Sequence, residues 1–468
     1  MNSVFDSVAE RKNEILKKAL GIDYSEFELP GVAFDYEGMM GKIGYTLNEI
    51  RSIQAETNIG NTPMLELRNL TAAARALAGP GKGARIFVKD EATNPSGSFK
   101  ARRAAMSCHY AQQRGYAGVI AASSGNYGAA VASQANMRNL KAIIVQELFD
   151  SHHVGQPEIL EKGRICEAFG AEVVQLTVGP ELFIEFLRLL DETSYCSASL
   201  YSPFAIAGIE TLGYEIADQV RSMCNRDPDA VVITNAGGGN LTGTARGLEK
   251  AGCTNTKVIA ASVDITGLHM ASDKAFNRKS FTTGHTGFGM PFSTWPDRTD
   301  VPRNAARSLR YTDRYVTVTQ GEVFYMTEAL AQIEGLERGP AGNTSLTAAF
   351  SLAQEMDRDQ VIVVQETEYT GAGKHVTAQL SFAREKLGIN VRRGNPKEQI
   401  PGENIIIPEG PELVKAQNVD LDDLKRSYCK NILKMNNMSK EQLTEADIQF
   451  IAEDTKSTKE HIKKLFVL

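Results

Sequence analysis

The sequence predicts an α/β fold built on two parallel-sheet units, each with helices on both faces, followed by a helical C-terminal extension. Three observations predict it. At 468 residues the chain is too long for one core, since domains average about 150 residues. Short β-branched runs alternate with helical stretches through the middle of the chain, a rhythm that argues for parallel strands covered on both faces. Beyond Leu387 the character changes to Pro, Gly and isolated charges, and then to helix-forming sequence.

The strand-like runs are 85–89, 119–122, 141–146, 172–175, 231–234, 257–263, 315–318 and 361–365. Helical stretches such as 182–190, 210–224 and 322–333 separate them. This divides the chain into residues 1–90, an extension plus the start of a large domain; 91–200, a small α/β domain; 201–387, the large α/β domain; and 388–468, a linker and helical tail. Within the tail, 388–417 has one short apolar run at 405–407, and helices are expected over 420–434, 440–453 and 459–466. Ser439 and Gln442 have capping-box spacing for the second. The tail reads as a packing clasp rather than a docking module.

Composition excludes several classes. The net charge of −6 argues against nucleic acid, which calls for a basic stripe. No apolar run approaches the roughly 20 residues of a membrane span, and the charged N-terminus lacks a secretory h-region, so a cytoplasmic location is expected. Six scattered cysteines without a C-x-x-C pair read as reduced thiols. His152-His153 has no further ligand at metal-binding spacing, so no metal site is expected.

Chemistry concentrates at three strand-turn-helix junctions. In Asn94-Pro95-Ser96-Gly97-Ser98-Phe99-Lys100 two turn dipeptides precede a helix that runs to a stop at Gly115, with Ser98 the expected N-cap. Lys100 then falls in the first turn, where the macrodipole disfavours a cation and partial desolvation pushes an amine toward its neutral, nucleophilic form. The second junction, Ser123-Ser124-Gly125-Asn126-Tyr127-Gly128, offers amides and hydroxyls at a helix N-terminus, which taken alone reads equally as an anion site or as an ordinary βα turn with capping serines. The third, Ala236-Gly237-Gly238-Gly239-Asn240, is a backbone cup for a phosphate. Its glycines space as G-x-G-x-x-x-G, which does not match a dinucleotide fingerprint. One nucleophilic lysine and two anion sites match an aldehyde, a phosphate and an amino-acid carboxylate: pyridoxal phosphate carrying an amino acid.

These residues resemble the fold-type-II pyridoxal-phosphate enzymes, the group holding threonine synthase, cysteine synthase and the serine/threonine dehydratases. The likeness also takes in Ile59-Gly60-Asn61-Thr62-Pro63-Met64, Glu161-Lys162-Gly163, Ala207-Gly208-Ile209-Glu210-Thr211 and Gly339-Pro340-Ala341-Gly342, and covers roughly residues 55–385. It implies two three-layer domains like those of the tryptophan synthase beta chain. It also implies that Lys100 bonds the cofactor aldehyde, Asn126 the ring hydroxyl, and the backbone of Ala236, Gly237, Gly238, Gly239 and Asn240 the phosphate. Ser123, Ser124, Gly125 and Asn126 would take the substrate carboxylate. The group places a hydroxyl or thiol at the pyridine nitrogen, which falls on Thr367 or, second, Thr370.

Departures narrow the reading. Threonine synthases read Phe-Lys-Asp-Arg where this chain reads Phe99-Lys100-Ala101-Arg102, and their Thr-Gly-His-Gly signature is replaced by Glu366-Thr367-Glu368-Tyr369-Thr370-Gly371. The Thr367-Glu368 pair is reminiscent of diaminopropionate ammonia-lyases, without their acid near the lysine. Over its whole length, both extensions included, the chain resembles the pyridoxal-phosphate beta subunits of thiolases that split 2-amino-4-oxopentanoate with coenzyme A into acetyl-CoA and alanine in ornithine breakdown. That likeness implies a small alpha subunit and a homodimeric core. A threonine synthase-like replacement or an ammonia-lyase-like elimination is the alternative; a retired, non-catalytic member is disfavoured by the intact lysine, serine loop and glycine cup. The run 284–289 is a glycine-rich loop that reads equally as part of the cleft or as plain surface.

Overall fold

The computed structural model describes residues 4–149, 154–155, 157–177, 181–265, 279–280, 285–286, 293–297, 300–369 and 376–466. Two sheets organise it. The larger has seven strands in the order Met64–Glu66, Arg85–Asp90, Val361–Glu366, Ala230–Thr234, Lys257–Val263, Arg314–Val318, Gln417–Val419. The five inner strands are parallel, with Ile362 beside Ile86 and Val232 beside Ile259. Both edge strands run antiparallel. The smaller sheet has four parallel strands in the order Glu172–Thr177, Lys141–Phe149, Gly118–Ala122, Cys196–Ser197.

Alternation along a strand decides which core each residue joins. Val361 and Val363 face one apolar cluster while Ile362 and Val364 face another, so strand Val361–Glu366 is buried on both sides. The first cluster continues through the small sheet to the N-terminal helices. Helices Pro203–Cys224 and Gly239–Lys250 lie in close contact: a Cβ at Gly213 would come within 2.0 Å of the Thr244 carbonyl, so only glycine permits the approach.

The tail departs from expectation in three places. The capping box of Ser439 and Gln442 forms, but it opens a single 3-10 turn, Lys440–Gln442. The helix proper is Glu445–Asp454, capped by Thr444 in a box with Asp447. The linker contains two strands paired in parallel, the charged Asn390–Gly394 and Asn404–Pro408, which holds the apolar run 405–407, and Gln417–Val419 extends the large sheet. Strands as short and exposed as Asn390–Gly394 and Gln417–Val419 carry little apolar pattern to read.

The tail grips the rest of the chain through buried polar contacts. Asp447 accepts hydrogen bonds from the amides of Val32 (2.7 Å) and Ala33 (3.1 Å). Asp454 is buried against Arg307 and accepts from the Tyr428 hydroxyl. Among the described residues, no helix is long and apolar enough to cross a membrane.

Candidate active site

Lys100 is the first residue of the helix Lys100–Gln113, as its turn predicts. Ser98, however, is not its cap. Phe99 holds the N-cap position without a side-chain cap bond, and the Ser98 hydroxyl is buried without a partner. Residues 97–99 are instead stitched to 367–369: the Phe99 amide donates to the Thr367 carbonyl (3.0 Å) and the Tyr369 amide to the Gly97 carbonyl (2.8 Å). That pairing turns Ser98 away from the helix start and brings the end of strand Val361–Glu366 beside Lys100. The Lys100 ammonium lies 4.5 Å from the centroid of the Phe99 ring.

Behind Lys100 the helix is locked by a buried ion cluster. Arg102 grips Glu91 (2.7 and 2.8 Å) and Glu215 (2.9 and 2.7 Å), and Lys89 donates to Glu215 at 2.8 Å. Burial works to raise the Glu215 carboxyl, but Arg102 and Lys89 outweigh it and hold the group well below the usual carboxylate range. The cluster ties strand Arg85–Asp90, the Lys100 helix and helix Pro203–Cys224 to one another.

The serine loop follows strand Gly118–Ala122 and opens helix Asn126–Met137 at Gly125. Ser124 Oγ accepts from the Glu147 amide (2.8 Å), and the Gly125 amide donates to Ser123 Oγ (3.3 Å). A Cβ at Gly125 would meet nothing within 4 Å, so the loop borders open space there. Asn126 Nδ2 donates to the Glu368 carboxylate, while Asn126 Oδ1 is buried without a partner.

The glycine cup follows strand Ala230–Thr234. Gly238 takes φ +81°, a left-handed conformation, to aim the chain into helix Gly239–Lys250. Its neighbours crowd it: a Cβ would lie 2.2 Å from Arg103 Nη2 at Gly239 and 2.8 Å from Ser308 Oγ at Gly238. Both side-chain polar atoms of Asn240 are buried and unsatisfied. Thr367, next after strand Val361–Glu366, is buried.

Lys100, Ser123, Ser124, Gly125, Asn126, Ala236, Gly237, Gly238, Gly239, Asn240 and Thr367 line one cavity of about 180 Å³. The sequence reading overlooked Arg103, Glu147, Tyr201 and Glu368, which line it too. Arg103 was open to inference, because it stands three residues after Lys100 on the same helix face. Glu147 is the first of three residues by which the strand runs past the expected 141–146, to Phe149. Nothing local marks Tyr201. Next to Thr367, Glu366 is fully buried at the start of helix Pro340–Ala353, where a Cβ on Gly342 would lie 1.9 Å from its Oε1. Burial, and then Glu368 and Asp90, push the Glu366 carboxyl well above its ordinary range. Thr370, the pair His152-His153 and most of 284–289 lie outside the described residues; of the last, His285–Thr286 pairs with Lys279–Ser280. No cluster of metal-binding side chains occurs among the described residues.

These features fit a phosphorylated aldehyde: a cup that side chains would fill, unpartnered side-chain oxygens at Asn126 and Asn240, and a lysine at the cavity wall. The profile of the pyridoxal-phosphate dependent enzyme family matches residues 55–368. The chain belongs to that family, and its cofactor is pyridoxal phosphate.

Among curated relatives, the 2-amino-4-ketopentanoate thiolase beta subunit of Acetoanaerobium sticklandii is 64% identical over 459 residues, 98% of this chain and 97% of that protein. A second protein of the same name, from an unknown prokaryotic organism, is 64% identical over 97% of this chain and 95% of its own. Solved structures share the fold. A variant of O-ureido-L-serine synthase matches with TM-score 0.55 at 18% identity, covering 71% of this chain and 94% of that one. A pyridoxal 5′-phosphate-dependent aspartate racemase matches with TM-score 0.54 at 19% identity, covering 69% and 95%.

Proposed function

We propose that this chain is the catalytic beta subunit of a thiolase that cleaves 2-amino-4-oxopentanoate with coenzyme A to acetyl-CoA and alanine. It would work with a small alpha subunit on a homodimeric core. The observation that carries the reading is the 64% identity to thiolase beta subunits across nearly the whole chain, extensions included. Threonine synthase relatives, by contrast, match at 28% over about two-fifths of it.

When bound, the cofactor supplies an electron sink that delocalises charge developing on the substrate. The rest falls to the protein. Lys100 would hold the aldehyde, and its Nζ would take the proton from the substrate α-carbon. The amides and hydroxyls of Ser123, Ser124 and Gly125 bind the carboxylate at the start of helix Asn126–Met137, where the dipole favours an anion. Asn126 would hold the ring hydroxyl, the backbone of Ala236 to Asn240 the phosphate, and Thr367 the ring nitrogen, with a hydroxyl rather than a carboxylate. In the overall reaction the C3–C4 bond breaks, the acetyl group passes to the thiol of coenzyme A, and C3 gains a proton to become the methyl of alanine.

The test is acetyl-CoA formation from 2-amino-4-oxopentanoate with and without the alpha subunit. Lys100→Ala should lower turnover on the order of 10³-fold or more and remove the visible absorbance of the lysine-bound cofactor. Thiolysis retained in that variant overturns the lysine's role. Product from serine or phosphohomoserine, and none from the oxo acid, would move the chain to replacement or elimination chemistry.

A further inference from the structure

Arg103 lines the cavity, and the reading above leaves its chemistry unused. It is 4% exposed, and its Nε is buried without a hydrogen-bond partner. Among the described residues no carboxylate pairs with it; the Phe99 ring, 5.5 Å from its guanidinium carbon, is its cation–π neighbour. Burial lowers the guanidinium only to about 10, so it stays charged at neutral pH. A charge in such a place is costly unless an anion meets it.

The position of the guanidinium says which anion. A Cβ on Gly239 would lie 2.2 Å from Nη2, 2.9 Å from Cζ and 3.1 Å from Nη1, so the fork presses against the first residue of helix Gly239–Lys250. There the unsatisfied amides of the first helical turn and the positive dipole end converge with the unpartnered side chain of Asn240. Tyr201 closes the opposite wall, its hydroxyl 3.2 Å from where a Gly237 Cβ would stand. A planar fork beside a ring of amides is suited to a tetrahedral dianion with several acceptor oxygens.

We infer that Arg103 is a side-chain ligand of the cofactor phosphate, supplying the counter-charge that the glycine cup's neutral amides lack. This rests on the pyridoxal-phosphate reading of the cavity. It also ties the cup to the lysine, because Arg103 and Lys100 stand three residues apart on one helix. A phosphate bound to the guanidinium thereby fixes the start of the helix from which the lysine reaches the aldehyde.

The experiment separates phosphate from aldehyde. Apoenzyme is titrated with pyridoxal 5′-phosphate and with pyridoxal, which keeps the aldehyde and lacks the phosphate, for wild type, Arg103→Met and Arg103→Lys, following absorbance without substrate or coenzyme A. Arg103→Met should weaken pyridoxal 5′-phosphate roughly 10- to 100-fold, the range of one or two charge-assisted hydrogen bonds, and leave pyridoxal unchanged. Arg103→Lys should recover part of the loss. The apoprotein melting temperature should not fall in Arg103→Met, since the substitution removes a buried charge without a counter-ion. An equal loss for both ligands, or a lower apoprotein melting temperature with unchanged phosphate preference, makes the residue structural and overturns the assignment. So does an affinity for pyridoxal 5′-phosphate that Arg103→Met leaves unchanged. Wild-type protein that takes up neither ligand overturns the cofactor reading itself, a result distinct from a silent variant.

Discussion

Arg102 and Arg103 are neighbours in sequence and both are buried, yet they face opposite electrostatic worlds. Arg102 points back into a cluster where Glu91, Glu215 and the Thr211 hydroxyl satisfy its guanidinium. Arg103 points forward to the glycine cup, where no carboxylate among the described residues meets it. A rotation of about 100° per residue along the helix separates a structural clamp from a site prepared for an anion. The difference teaches that a buried charge with its partners present belongs to folding, while one without them marks where a ligand is to be.

The contrast can be broken or sharpened by substitution. The largest effect on folding is expected from Arg102→Met, which leaves two buried carboxylates sharing only Lys89. It should cost about 3–5 kcal/mol of stability in thermal or chemical unfolding. A loss under about 1 kcal/mol would erase the distinction from Arg103.

Gly239→Ala should act on the other side of the comparison. Its Cβ would collide with the far end of the Arg103 side chain rather than with backbone, so the guanidinium moves away and folding stability changes by about 1 kcal/mol. Pyridoxal 5′-phosphate affinity should fall roughly tenfold, while pyridoxal affinity stays level. Equal losses for the two would assign the strain to the helix start instead.

The smallest effect is expected at Glu366, the buried acid counterpart of Arg103. Its folded carboxyl is raised above its ordinary value of 4.5, so above that pH the folded chain retains a proton that the unfolded chain has lost. Stability therefore falls as pH rises through the interval up to the raised value. Glu366→Gln should remove that slope: melting temperatures at pH 5 and pH 8 should converge for the variant, which gains a few degrees over wild type at pH 8. Parallel slopes would mean that Glu366 is ionised in the fold.

Legibility followed the physics of each signal. The eight core strands are found within a few residues of their β-branched runs, because a strand buried on both faces must be apolar along its length. The three junctions were legible because glycine and serine after a strand have few uses other than a turn that bares amides. Ser98 misled for the opposite reason: serine beside a helix start is a good cap, but cross-strand pairing with 367–369 claimed its backbone first. The strand Asn390–Gly394 was illegible because its half-exposed, charged residues carry no period.

By itself, the sequence determined the alternating α/β rhythm, the lysine at a helix start, the serine loop, the glycine cup and the helical tail, since each is written in the local preferences of a few adjacent residues. Only the tertiary structure decided that Arg102 is clamped and Arg103 is left facing the cup, that Glu368 meets Asn126, and that a carboxyl is buried at Glu366. Those outcomes depend on which charges arrive from distant segments, and a charge's partners, unlike its helix or strand, are not encoded beside it.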